Sequence, residues 1–318
     1  MRDRLIQKSV QLTHIDIMDG IPSVVFLNGK FWGVYEIKER VDKYYIQGNH
    51  NVDCNKIDML KYDGDIIEGT NTSFLKMVDF ITLNDMTMPV NYDSVKQLLD
   101  IENFCDYFIT ETYYDNYDWI GTYHYTNNIK FWHTNNPSGK WRYILWDIDR
   151  GLGLTSDVGM TGPVDYNRLE TVISPQNNNP HSAMFKSLLL NDIFRNYFIN
   201  RYADLLNTIF LPFNIRQLTY KLRNEMQQEM EMHFNKWNLY DFGGIYDIQS
   251  WFSEIECMLS YSDKRPSFTR SFIKSQFALK KKLILHLMYF QKMQEKLKYR
   301  QLYLIPFLGQ VFILMEIL

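Results

Sequence analysis

The sequence predicts an α+β fold, with a strand-rich first half and a helical C-terminal half. Three observations carry this. Two β-hairpin patterns lie before residue 150, and apolar residues recur at helical spacing from Ser182 to about Gln276. Apolar residues also make up 46% of the 318, enough to bury a sizeable core. The length suits one large domain or two small ones, and no internal repeat is visible.

Taken in order, residues 3–13 read as a short helix running into a loop. Residues 23–27 (SVVFL) form a β-branched and aromatic run. Asn28-Gly29 follows, a type I′ turn signal, and 31–40 (FWGVYEIKER) is the return strand. A helix begins over 42–47. Residues 48–72, rich in Asn, Asp and Gly, read as a loop with one short strand. Residues 73–83 have helical spacing. Residues 92–114 read as one longer helical region carrying Val95, Leu98, Leu99, Ile101, Phe104, Phe108 and Ile109. Strands at 127–132 (NNIKFW) and 141–146 (WRYILW) flank a turn cluster at 135–139 (NNPSG), which makes a second hairpin. In the helical half, Met184, Leu188, Phe194, Phe198, Tyr202, Leu205 and Leu206 line an apolar face.

The formal net charge is -3 and no long basic run occurs, which argues against a general nucleic-acid binder. Aromatics, at 16%, suit either a bulky core or a surface that stacks on sugars or bases. Cys54, Cys105 and Cys257 are scattered, so neither a zinc site nor a disulfide framework is expected. Met1-Arg2-Asp3-Arg4 leads into mixed polar sequence without an apolar leader. No membrane span is expected, because Pro306 and nearby charges interrupt the last apolar stretch.

Oxygen ligands gather around the second hairpin. Asp118 lies in the loop after the long helix, Asn127 and Asn128 open the first strand, and Asp147 and Asp149 leave the second. A hairpin returns its ends to one place, so these groups can converge. Mg²⁺ takes hard oxygen ligands, usually one or two carboxylates plus substrate phosphates. Phosphoryl transfer needs that metal and a carboxylate to orient the attacking hydroxyl. The order Asp, Asn, Asp is the one protein kinases use. A plainer reading stands beside it: Asp, Asn and Gly gather in turns anyway, and Asp149-Arg150 is a simple ion pair.

Three ordered blocks extend the pattern. FLNGKFWGVYEIKERVDKYYI at 26–46 resembles the hairpin of the CotH family. GKWRYILWDIDRGLG at 139–153 resembles that family's G-K-W to W-D-x-D segment, and ETYYDNYDWIG followed by NNIKFW resembles what lies between. Together they cover most of residues 1–150. The helical half adds an H-x-x-x-W at His233 and Trp237 and an R-P at Arg265. The resemblance implies an atypical protein-kinase-like fold that uses ATP and Mg²⁺ (or Mn²⁺) to phosphorylate protein serines, coat proteins in spore formers. By the same resemblance Asp118 is the catalytic aspartate. Asn128 or Asn127 is a metal ligand, Asp147 is the metal-binding aspartate, and Asp149 is a supporting or second ligand. Trp141 would stack on adenine, opposite Tyr35, and Glu39 or Lys38 would position phosphates. Core packing suits Trp141 and Tyr35 equally, and Lys38 and Arg40 also suit a solvated strand.

The expected partner is therefore a serine-containing coat or surface protein. The alternative is a non-catalytic cell-surface module whose aromatic face binds glycan or protein. Two departures from the family pattern stand out. TYHYT at 122–126 lengthens the Asp118-to-Asn spacing. The family's upstream R-G-x-S segment does not precede the hairpin, so residues 1–279 are expected to form a kinase-like domain with an incomplete N-terminal lobe. Residues 280–318 change texture after Lys280-Lys281-Lys282. Shifting the frame by one base gives a β-rich pattern, so this tail is expected to be out of frame, an amphipathic helix being the other reading.

Overall fold

Asn28 and Gly29 join β1 (Gly20–Leu27) to β2 (Lys30–Lys38) as an antiparallel hairpin. Their φ values, 51° and 75°, are those a type I′ turn requires. The computed structural model describes residues 1–120, 126–153, 163–237, 245 and 247–279. The chain divides into Met1–Leu283 and Ile284–Leu318. The second unit and the predicted tail at 280–318 lie outside the described residues, as does most of the 122–126 segment.

The fold is α+β, with six strands and eleven helices among the described residues. All six strands precede Trp146. Beyond the first hairpin, β3 (Ile57–Lys61), β4 (Asp65–Glu68), β5 (Ile129–Thr134) and β6 (Arg142–Leu145) form one sheet in the order β4-β3-β5-β6. Every neighbouring pair is antiparallel. The 48–72 stretch thus holds two strands rather than one. Gly64, at φ 122°, helps turn β3 into β4, and β4, four residues long, is too short to show a period in the sequence.

Helix α1 (Arg2–Ser9) precedes the hairpin. Asp42 caps α2 (Lys43–His50) by accepting from the N–H groups of Tyr44 and Tyr45. Helix α3 (Thr72–Leu83) buries Phe74, Met77 and Ile81, the spacing that predicted it. The 92–114 region is not one helix. It splits into α4 (Pro89–Leu98) and α5 (Ile101–Tyr114). Leu99 leaves the helix to bridge Trp141, and the Asp100 side chain caps α5 through Asn103 N–H. That break is dictated by a strand about forty residues downstream, so local periodicity could not show it.

Helix α5 is the axis of the core, buried from Asn103 through Tyr114. It packs on β6 and on α8 (Asp192–Asn207). The Arg201 guanidinium of α8 grips Asp106 through two bonds, 2.6 and 2.8 Å. Around this axis lie α6 (Arg168–Ile173), α7 (Pro180–Leu189), α9 (Pro212–Asn224), α10 (Gln227–Trp237) and α11 (Ile248–Gln276). Asn179 and Asn191 cap α7 and α8, and Asp247 caps α11. Met184, Leu188, Phe194, Phe198, Tyr202, Leu205 and Leu206 are all buried, as their spacing predicts. No helix among the described residues is long and apolar enough to cross a membrane.

Candidate active site

The end of α5 is fixed before the site begins. Arg265, 1% exposed on α11, donates to Thr112 O and Tyr113 O at 2.8 and 2.7 Å. It also donates to Val164 O and Tyr166 O at 2.8 and 2.7 Å. One guanidinium thus satisfies carbonyls that the last turn of a helix leaves open. Asp115 then turns the chain at φ 51° and pairs with Arg168 at 2.7 Å. Buried Trp119 closes the loop by donating its Nε1–H to Tyr107 Oη at 2.9 Å. Asp118 sits between these two anchors.

Asn128 joins the two ends of the motif. Its Nδ2 donates to Asp118 Oδ2 at 3.4 Å and to the Asp147 carbonyl at 3.2 Å. Asn128 and Asp147 both lie in the left-handed region, at φ 53° and 56°, a conformation Asn and Asp tolerate better than most residues. Ile148 is fully buried, and its N–H donates to Asp3 Oδ1 at 3.3 Å. Asp147 and Asp149 on either side reach solvent while part of each is covered. Arg150 lies 4.0 Å from Asp118. Arg2, reaching across from α1, donates to Gly151 O and Leu152 O at 2.9 and 2.8 Å and holds the segment that leaves the site.

The electrostatics are acidic. Partial burial first, then Asp149, Asp3 and Asp118, hold the Asp147 carboxyl above its usual range, with Lys38 opposing. Asp149 is raised likewise, by burial and then by Asp3, with Arg150 and Lys38 opposing. Lys38 is lowered by burial but raised more strongly by Asp3, which it meets at 2.6 Å, and by Glu36.

Beside Asp147 opens a cavity of about 460 Å³. That falls in the roughly 300–1,000 Å³ range of small-molecule sites. Lys38, Glu39, Asp147 and Asp3 line it, with Met18 and Ile67 supplying apolar wall. Trp146 and Lys130 complete it, the Lys130 Nζ standing 3.9 Å from the centre of the Trp146 ring. Burial first, then Lys61 and Arg40, lower the Lys130 pKa. Glu39 is already engaged, accepting from Asp19 N at 2.8 Å and Asn49 Nδ2 at 3.1 Å.

The structure brings Asp118, Asn128 and Asp147 together, with Asp149 beside them and Lys38 and Glu39 at the cavity. Asn127 is tied through its backbone N–H to Trp119 O at 3.3 Å, and it is Asn128 whose side chain spans the two aspartates. Trp141 departs from expectation. It is 2% exposed and packed among Phe74, Phe131 and His133, so neither ring face is open to a base. Tyr35, 43% exposed on the hairpin, does not line the cavity. The aromatic ring at the cavity is Trp146, which sequence reasoning missed together with Lys130 and Asp3. Trp146 directly precedes Asp147, and that adjacency was the available signal.

Among the described residues no three His, Cys, Asp or Glu side chains form a metal cage of their own. The donor set instead suits an ion shared with phosphates. Asp147 offers a carboxylate and Asn128 an amide oxygen, and Asp149, Asp3 and Asp118 add negative charge around Asp147 that a divalent cation would relieve. A second, larger hollow of about 1110 Å³ lies elsewhere, lined by Asp63, Asp165, Glu170, Asn167, Asn177 and Tyr166 among others.

A family model described as CotH kinase protein matches residues 1–269, and the chain belongs to that family. No curated protein matches the chain.

Proposed function

We propose that this CotH-family chain transfers the terminal phosphoryl group of ATP to serine hydroxyls of a protein substrate, a coat or surface protein. The observation that carries the reading is Asn128, whose amide ties Asp118 to Asp147, and Asp147 lines a cavity together with Lys38, Lys130 and Trp146. Asp147 and Asn128 would hold Mg²⁺ or Mn²⁺, with Asp149 in support. The ion would neutralise charge on the phosphates. Lys130 and Lys38 face the same cavity and would bind phosphate oxygens. Trp146, with Met18 and Ile67, offers flat apolar surface to the base. Asp118 would accept the serine proton and aim the oxygen, the part a kinase loop aspartate plays. The Asn128 bond to Asp118 and the anchors on either side would fix that aim. A protein-kinase-like fold is part of this reading.

The test is titration of Mg-ATP and Mn-ATP into the wild type, Asp147→Ala and Asp118→Ala. Asp147→Ala should lose metal-dependent binding. Asp118→Ala should keep binding and lose transfer to a serine peptide. Unchanged binding in Asp147→Ala overturns the assignment.

The second reading is a non-catalytic module that binds glycan or protein. The larger hollow favours it, since its amides, hydroxyls and carboxylates could hydrogen-bond a polar ligand. Glycan binding indifferent to EDTA and to Asp147→Ala would establish it.

A further inference from the structure

Helix α10 carries His233 and Trp237 four residues apart, and so on one face. Both reach the same strand. Val34 N–H donates to His233 Nδ1 at 3.0 Å, and Trp237 Nε1–H donates to Trp32 O at 2.7 Å. The Trp32 and Trp237 rings meet edge to face, 4.9 Å apart. Val34 pairs with Val24 across the hairpin, yet its N–H points away from β1 to the histidine. The Val24–Val34 pair is therefore a non-hydrogen-bonded one, and α10 occupies the edge where a third strand would otherwise add. Gly33 lies between the two bonds at φ 146°. A Cβ there would come within 2.8 Å of Trp237 Nε1 and 2.9 Å of His233 Nδ1. The strand can approach the helix this closely only because residue 33 lacks a side chain.

Four residues beyond Val34, the same strand ends in Lys38, which lines the cavity and pairs with Asp3. We propose that His233 and Trp237 are positioning residues that clasp the outer edge of β2 and so hold Lys38 against the nucleotide cavity. This rests on the function proposed above. The bond requires a neutral imidazole, because a protonated ring has no acceptor nitrogen. Burial holds the His233 pKa below its ordinary value. Among the described residues, Lys236, 5.0 Å over the Trp32 ring, and Tyr35, beside Gly33, are other ionisable side chains placed at this contact. A folded value below 6.5 means the bond is intact at neutral pH and is lost as pH falls through that folded value.

The experiment uses the full chain with His233→Ala and His233→Asn. Asparagine Oδ1 stands where histidine Nδ1 does, accepts the same hydrogen bond, and does not titrate. Two readouts are taken: amide exchange over residues 34–38, without nucleotide and across pH, and KM for ATP against kcat at neutral pH. In His233→Ala, exchange should accelerate through Lys38 and KM should rise roughly two- to tenfold, the size of one hydrogen bond. The kcat should hold, since Asp118 is untouched. On acidification the wild type should lose exchange protection over residues 34–38, relative to the intrinsic rate at each pH, and His233→Asn should keep its protection there. Exchange in His233→Ala that matches the wild type overturns the clasp, as does an equal acid response in His233→Asn. Should the alanine variant not fold, the acid comparison of wild type with His233→Asn decides alone. A wild type that binds no nucleotide refutes the proposed function instead, and exchange at 34–38 still judges the clasp.

Discussion

Replacing Asp106 with Asn leaves the shape of the core and removes one charge. Asp106 is fully buried on α5 and accepts both bonds from Arg201 and two from His14, its N–H at 2.9 Å and its Nδ1 at 2.8 Å. Burial pushes its pKa up, but Arg201 and His14 win and bring it down to about 2. Against the ordinary 3.8, that corresponds to roughly 2 kcal/mol of stability. Because the folded value is depressed, this stability is present above about pH 4 and is lost as pH falls toward about 2. The substitution leaves the Arg201 charge buried opposite a neutral amide, a total loss of about 3–5 kcal/mol at neutral pH with the pH-dependent part included. Urea unfolding of both proteins across pH measures the two parts separately. At neutral pH the variant should be less stable by about 3–5 kcal/mol. Between about pH 5 and about pH 2 the gap should narrow by roughly 2 kcal/mol, since the wild type is then protonated as well. A variant within about 1 kcal/mol of wild type at neutral pH, or a gap that does not narrow, refutes the reasoning.

Arg265→Met should cost about 3–5 kcal/mol, because four carbonyls, those of Thr112 and Tyr113 buried and those of Val164 and Tyr166 part-buried, lose their donor. Calorimetry should show Tm falling by roughly 10 °C, and a fall under about 2 °C would mean water replaces the guanidinium. Glu111 is buried beside Asn116 and Tyr107, and burial pushes its pKa up from 4.5 to about 8. A raised folded value means stability present below 4.5 and lost as pH rises through about 8. Glu111→Gln should therefore gain on the wild type by a few kcal/mol between about pH 5 and about pH 9, and parallel pH–stability curves would contradict this. Trp146→Ala should weaken ATP binding by about 1–3 kcal/mol, as for a lost base-stacking contact. Trp141→Phe should lower stability and spare ATP affinity; the reverse pattern would return the adenine role to Trp141.

Much of this was legible in the sequence, and the failures share a cause. The Asn28-Gly29 hairpin needs only a local turn, and the helical half needs only a repeated apolar stripe. Asp118, Asn128 and Asp147 could be gathered on paper because a hairpin must return its ends. What could not be read depends on distant partners. The helix break at Leu99 exists because Trp141 pairs there. Trp141 and Trp146 are five residues apart, so they face opposite sides of an extended chain. Which side is core depends on Phe74, some seventy residues earlier in the sequence. Lys130 and Asp3 enter the cavity from elements whose own patterns give no hint of it.

Helix α1 carries unusual traffic for eight residues. Arg2 binds Glu254 at 2.6 Å, Asp3 binds Lys38 at 2.6 Å, and Arg4 binds Glu225 at 2.7 Å. Gln7 spans Leu145 O and Met18 N. Its buried polar face matches no single neighbour, only the finished assembly. During synthesis this helix leaves the ribosome 252 residues ahead of Glu254. At about 5–20 residues per second, that is a wait of roughly 13–50 s. For most of that interval Arg2 lacks Glu254 and Arg4 lacks Glu225, so water holds the two guanidiniums and the segment stays open. The first helix in the chain is then among the last to settle, and the strand end bearing Lys38 waits with it.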